Sequence, residues 1–355
     1  MLLHGDVNTE VRVAIVGAGP IGLELAVALK RLNEPYLHFD ARQIGHTVSW
    51  YPRQVQFFSS TDRIAIAGVP LQTPDQSKAT GEQYLAYLRS VCRMYDLRVR
   101  TYERVEDIQK SDSAFVLTTR CQSGTRQVTA ANVVLAVGDM HRPRMLNIPG
   151  EDLPHVSHYF DEPHRYFRKR LMIVGGRNSA VEAAIRCERI GADVAISYRK
   201  QTFDSKAVKY WLTPEIEMLI KMGRIAYHPQ TLPVEIKPHA VAIQAVNGDR
   251  ASTTLEADFV LILTGYEMDT TLFEMAGVTL KGENRAPTFD PATMQTNVPG
   301  IYVAGTAAAG TQNRFRLFIE NCHAHVGKIV KAITNNDCPF TARDVTTSGK
   351  YTLET

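Results

Sequence analysis

Residues 11–22 read Val-Arg-Val-Ala-Ile-Val-Gly-Ala-Gly-Pro-Ile-Gly. Val11 to Val16 is an apolar strand run, and glycines follow at Gly17, Gly19 and Gly22. Gly17 permits a tight turn, Gly19 lets a pyrophosphate approach the backbone, and Gly22 lets the next helix pack on the strand. That helix has apolar positions at Leu23, Leu25, Ala26 and Leu29, and its N-terminus, with Pro20 in the first turn, offers unsatisfied N–H groups and a positive dipole to phosphates. A second strand run, Tyr36 to Phe39, ends in Asp40, 18 residues after Gly22. A carboxylate there accepts hydrogen bonds from ribose hydroxyls and repels a phosphate, so the site favours an unphosphorylated ribose, as in FAD or NAD.

The same pattern recurs 158 residues later, counting from Gly17 to Gly175. Leu171 to Val174 is a strand run, followed by Gly175-Gly176-Arg177-Asn178-Ser179-Ala180 and a helix through Val181, Ala184 and Ile185. Arg177 stands where the second glycine belongs, and Ala180 replaces the third. The next strand, Val194 to Ser197, leads to Tyr198-Arg199-Lys200, with no acid at its end. Two cations there can pair with a 2′-phosphate, which predicts NADPH over NADH; two solvated surface cations are the alternative.

Strand-plus-glycine segments at Asn132–Gly138, Phe259–Gly265 and 296–306, and a helix from Phe318 to Ile333, fill out both regions. Turn-forming residues at Arg142-Pro143 and Glu283–Pro287 suggest two crossings between domains. The expected fold is therefore α/β, with two Rossmann-like dinucleotide-binding domains: residues 1–150 and 285–355 for FAD, and 151–284, inserted, for NADPH. The 355 residues suit two domains, and the stretch from about Asp337 reads as a loose tail. A formal net charge of +3 is too small to imply nucleic acid or a membrane surface. Met1 to Glu10 lacks the apolar core of a signal peptide, and no apolar run approaches the roughly 18 residues of a membrane span. The cytoplasm is the expected location. Five scattered cysteines, without a C-x-x-C, suit a reduced compartment and offer no metal-ligand spacing.

In the aromatic stretch 50–66, Trp50, Tyr51, Phe57 and Phe58 can wall a planar ring, with Ser59 and Ser60 on its polar edge; core packing explains them equally well. Cys322, in the first turns of the last helix, is either a low-pKa redox thiol or a buried hydrophobe. His323 and His325 do not share a helix face. His155, His158 and His164 fall in a loop, as solvated or hydrogen-bonded residues.

Two dinucleotide folds, one inserted in the other, resemble the thioredoxin-reductase-like flavoproteins. Within these the chain resembles the bacillithiol disulfide reductases, the YpdA family. The resemblance lies in Tyr51-Pro52 with Phe57-Phe58-Ser59-Ser60, His158-Tyr159-Phe160-Asp161, Gly175-Gly176-Arg177-Asn178-Ser179, Tyr198-Arg199, Leu263-Thr264-Gly265-Tyr266, Thr296-Asn297-Val298 with Ala304-Gly305, and Phe318-Ile319-Glu320-Asn321, and spans roughly Val11 to Ile333. It implies FAD on Gly17, Gly19, Gly22, Asp40 and the Gly305-Thr306 turn, to which Pro20, Tyr51, Phe58, Ser59 and Gly138 are added as candidates from the surrounding sequence. It implies NADPH on Gly175, Asn178, Ser179 and Arg199, with Arg177, Lys200 and Gly265 added in the same way; no metal is expected from the spacing.

Two departures stand out. The C-x-x-C of thioredoxin reductases is missing from His155–Arg170, which argues against dithiol exchange with thioredoxin. The YpdA-like cysteine after the proline of the first motif is Ile21 here, and Cys322 is the expected substitute if it faces the flavin. The expected activity is transfer of hydride from NADPH to FAD and then to a low-molecular-weight disulfide. A ferredoxin- or flavodoxin-NADP reductase acting on a small redox protein, or a redox sensor without turnover, is the alternative. A homo-oligomer is expected from the family.

Overall fold

The computed structural model describes residues 9–204, 207–247, 252–313 and 316–340. The tail from 341 onward, the first eight residues, and hence any leader there, lie outside the described residues. The chain forms two compact units. One takes residues up to Ser49, Gln54–Arg142 and the chain from Glu267; the other takes Trp50–Arg53 and Pro143–Tyr266.

The first unit is built on a seven-stranded sheet. Its strands run in the order Val99–Thr101, Tyr36–Asp40, Thr9–Val16, Gly124–Leu135, Ala114–Cys121 and Arg104–Ser111. Ile301–Val303 pairs in parallel with the far end of Gly124–Leu135. Strand Thr9–Val16 is central and parallel to both neighbours, so Val13, Ala14 and Ile15 are fully buried, as a covered parallel strand requires. Helix Pro20–Arg31 follows, buried from Ile21 through Leu29, and packs on the last helix, Ile319–Thr334.

The second unit repeats the motif. Its five-stranded parallel sheet has the order Ile225–Pro229, Asp193–Tyr198, Arg170–Val174, Phe259–Ile262 and Val156–Ser157. Helix Asn178–Arg189 packs on it, and an antiparallel layer of Thr231–Lys237, Ala240–Ala245 and Thr253–Glu256 completes the unit. No helix among the described residues is long and apolar enough to cross a membrane.

The chain passes between the units at 142/143 and 266/267, rather than at 150/151 and 284/285. The turn at Arg142-Pro143 thus marks one passage. Glu283–Pro287 instead closes a hairpin between Leu280–Lys281 and Ala286–Pro287. Asn284 O accepts from Thr311 N (2.7 Å), which ties the hairpin tip to the first unit. Turn chemistry alone does not separate a hairpin from a crossing.

Two candidate dinucleotide sites

The first glycine turn is locked by close backbone contacts. Gly17, at φ +107°, donates its N–H to Phe39 O (2.8 Å), and a Cβ on it would stand 2.4 Å from Ala136 O. A Cβ on Gly22 would meet Gly17 O at 2.0 Å, so the helix approaches the turn as only glycine allows. Around Gly19, by contrast, a Cβ would meet nothing within 4 Å. Helix Pro20–Arg31 has Gly19 at its N-cap and no side-chain cap, so its first amides face this open side. A pyrophosphate fits here.

Asp40 is fixed from both ends: Oδ2 accepts from Ala18 N and Oδ1 from Arg42 N, each at 2.7 Å. His38, two residues earlier, was not expected. It is buried, its Nε2–H donates to Gly17 O (3.0 Å), and burial pushes its pKa down to about 4, so the ring is neutral. The far wall comes from later chain. A Cβ on Gly138 would lie 3.9 Å from Thr306 Oγ1, and one on Gly305 3.6 Å from Ile21 Cβ. Gly305 N donates to His325 Nδ1 (3.2 Å), and burial pushes this histidine down to about 4 as well. Gly17–Gly22, Asp40, Gly138 and Gly305-Thr306 thus assemble around one turn.

The second turn is tighter at its floor. Gly175, at φ +143°, donates to Ser197 O (3.1 Å); a Cβ on it would meet Leu263 O at 2.5 Å and Ala180 Cβ at 3.1 Å. Ala180 therefore does the packing of the third glycine. Arg177 is the N-cap of helix Asn178–Arg189. Asn178 Oδ1 accepts from Lys209 N (2.6 Å), while Ser179 is exposed. Arg199 and Lys200 are exposed at the strand end; Lys200 Nζ lies 3.6 Å from Asp204, and Arg199 has no carboxylate partner among the described residues. Around Gly265, at φ +101°, a Cβ would meet nothing.

The aromatic stretch is divided. Trp50 packs with Tyr51, Tyr159 and Tyr266 in the second unit, with ring centroids 4.8–5.8 Å apart. In the first unit Phe57 packs on Tyr84 (4.8 Å), Phe58 lies under Lys78 Nζ (5.1 Å), and Ser59 is buried. The chain changes units between Arg53 and Gln54, so Trp50 and Tyr51 belong to the second unit and Phe57 and Phe58 to the first.

Cys322 is fully buried in the apolar core of the first unit. Burial raises its thiol pKa far above the ordinary range, with Asp139 and Glu24 adding to the shift. It has the environment of a packing residue, not of a low-pKa thiol. Among the loop histidines, His155 Nε2 lies 3.1 Å from Lys237 O, and His158 Nε2 lies 3.5 Å from Glu151.

A buried ionic cluster was not foreseen. Glu24, Arg63, Glu320 and His323 are each at most 8 % exposed. His323 Nδ1 lies 2.6 Å from Glu24 Oε2 and its Nε2–H donates to Arg63 O at 2.9 Å, so the ring is held by partners on both sides. Burial alone would lower its pKa, but the hydrogen bond and charge of Glu24 outweigh it and the net shift is upward. Glu24 Oε1 accepts from Ala67 N (2.9 Å), and Arg63 Nη1 stands 3.7 Å from Glu320. One signal was available: Glu24 is the lone polar residue in the run Ile21–Leu29.

The profile of the pyridine nucleotide-disulphide oxidoreductase family matches residues 14–305, which takes in both turns. The chain belongs to that family. Bacilliredoxin reductase Bdr of Bacillus subtilis (strain 168) is 34 % identical over 327 residues, covering 92 % of this chain and 98 % of that protein. The solved bacillithiol disulfide reductase Bdr (YpdA) from Bacillus cereus superposes with a TM-score of 0.86 at 34 % identity, covering 92 % and 99 % of the two chains. The family resemblance read from the sequence is thus confirmed, and the fold is that of thioredoxin reductases. A ferredoxin–NADP reductase of Ignicoccus hospitalis is 27 % identical over 299 residues, covering 82 % and 88 %. As a pyridine nucleotide-disulphide oxidoreductase of the Bdr type, the chain is an enzyme that works with FAD and NADPH.

Proposed function

We propose that the chain catalyses NADPH-dependent reduction of a low-molecular-weight disulfide: RSSR, NADPH and a proton give two RSH and NADP+. The first unit holds FAD on Gly17, Gly19, Pro20, Gly22, Asp40, Gly138, Gly305 and Thr306, with Phe58 and Ser59 beside the ring; Tyr51 falls in the second unit and is not assigned to this site. The second unit holds NADPH on Gly175, Arg177, Asn178, Ser179, Arg199, Lys200 and Gly265. The observation behind this assignment is the opposite charge at two matching strand ends: a doubly bonded Asp40 in one unit, exposed Arg199 and Lys200 in the other.

When bound, the nicotinamide and the flavin supply hydride and electron transfer. The protein positions them. Asp40 orients a ribose through its outward lone pairs and excludes a phosphate by charge. The uncapped helix N-termini after Gly19 and Arg177 stabilise phosphate oxygens. Ile21 presents an apolar side chain to the Gly305 turn, and Cys322 is held in the core, so we assign neither position to thiol exchange. No protein thiol at either position is therefore given a part in reducing the disulfide.

The test is direct. The purified protein should show a flavin spectrum that bleaches on NADPH titration, with turnover on a bacillithiol-type disulfide. Arg199→Ala should raise KM for NADPH at least about tenfold and leave NADH nearly unchanged, the loss of one charge-assisted contact. Equal effects on both nucleotides would remove the 2′-phosphate assignment. A second reading, a ferredoxin- or flavodoxin-NADP reductase, is supported by the absence of a thiol at Ile21 with the burial of Cys322, and by the ferredoxin–NADP reductase relative. Turnover with ferredoxin and none with disulfides would select it; bleaching with no turnover on either would select a sensor. A cytoplasmic, homo-oligomeric state completes the proposal on the family resemblance.

A further inference from the structure

The loop that carries Arg199 and Lys200 is held at several points, although both side chains are exposed. The Tyr198 ring lies on the backbone of the glycine turn: a Cβ on Gly176 would stand 2.5 Å from three of its ring atoms. The ring also stacks on Phe203, with centroids 5.8 Å apart and planes 12° from parallel. Phe203 packs in turn on Tyr227 of the neighbouring strand, at 5.1 Å. The Tyr227 hydroxyl reaches back to Gln201 O (3.2 Å), and Gln230 N donates to Lys200 O (3.2 Å). Residues on both sides of Arg199 are therefore fixed to the sheet and to the glycine turn.

We propose that the Tyr198–Phe203–Tyr227 stack is a scaffold that positions Arg199 for a nucleotide 2′-phosphate, which makes Tyr198 and Phe203 determinants of the preference for NADPH. This rests on the reading of Arg199 as the 2′-phosphate ligand. The physical reason is entropic. A free arginine loses rotamer entropy when it binds. A loop that also moved would add backbone disorder to what binding must remove. Anchoring the backbone leaves only the side chain to order. The same geometry explains the second glycine: at Gly176 any side chain would displace the ring.

The test uses the flavin-loaded protein with two probes, adenosine 2′,5′-bisphosphate and 5′-AMP, titrated by calorimetry, alongside KM for NADPH and NADH. Arg199→Ala serves as the reference and should abolish most of the preference for the bisphosphate. Tyr198→Leu should cut that preference about tenfold and leave 5′-AMP affinity within about twofold. Tyr198→Phe, which keeps the ring, should retain the preference. Phe203→Leu should fall between, and it decides the matter if Tyr198→Leu does not fold. If Tyr198→Leu and Phe203→Leu keep the preference while Arg199→Ala loses it, the scaffold is refuted and the Arg199 reading survives. If both probes weaken equally, the ring supports the whole turn and the proposal fails. If Arg199→Ala itself keeps the preference, the underlying reading falls and the scaffold with it.

Discussion

The two glycine turns are copies in backbone and opposites in how they are secured. Each carries a glutamate seven residues after its first glycine, Glu24 in one and Glu182 in the other. Glu24 is buried against a buried histidine, His323, and also accepts from Ala67 N. Glu182 is half-buried and takes Lys209 Nζ at 3.0 Å. The strand ends diverge in the same sense. Asp40 is bound by two backbone amides, while Arg199 is left exposed and only its backbone is restrained. The first turn is built as for a resident group, with its carboxylates committed to fixed partners. The second is built as for a visitor, with charge held out in water where it attracts an anion and lets it leave.

The comparison can be broken in order of expected effect. Glu24→Ala breaks the buried pair with His323 and leaves Ala67 N without its acceptor, and should cost about 3–5 kcal/mol of stability in the first unit, read by denaturant unfolding. The first unit should also be the acid-sensitive one. His38 and His325 are held near pKa 4, below the unfolded value near 6.5, so the unfolded chain takes up protons first and stability falls with pH across that window. The full loss is about 3 kcal/mol for each ring, since every tenfold drop in proton affinity on folding is worth about 1.36 kcal/mol. His323 works in the opposite direction: its raised value makes its contribution complete at low pH and lost as pH rises through it. Both tryptophans, Trp50 and Trp211, belong to the second unit. On acidification, flavin fluorescence should therefore appear before tryptophan emission shifts, and coincident changes would contradict the difference.

Glu182→Ala should cost less than Glu24→Ala, about 2 kcal/mol, the scale of one hydrogen bond to a charged group. Equal losses at the two sites would dissolve the contrast. Smallest is Cys322→Ala. It removes one buried sulfur, about 1 kcal/mol, and should leave turnover intact. Loss of disulfide turnover with normal bleaching by NADPH would restore a chemical role to that thiol.

Local sequence announced the parts of the two sites that are local. Gly17 through Gly22, Asp40, Gly175 through Ala180 and Arg199 lie within two short βαβ segments, where the strand period, the glycines and the strand-end charge are read together. What stayed hidden joins distant chain. Glu24 and His323 are 299 residues apart, and nothing near either names the other. The change of unit between Arg53 and Gln54, which divides Trp50 and Tyr51 from Phe57 and Phe58, has no composition shift to mark it. Cys322 was ambiguous because a helix start can raise or lower a thiol pKa according to burial, and burial is set by packing from elsewhere.

The Glu24–His323 pair has a consequence for biosynthesis. The second unit is almost contiguous, so it can close once Tyr266 and its neighbours have left the ribosome. The first unit cannot. Its first glycine-turn helix carries a carboxylate whose partner follows 299 residues later in the chain, and domains fold as units while the chain emerges. During synthesis, the site written first is the one completed last.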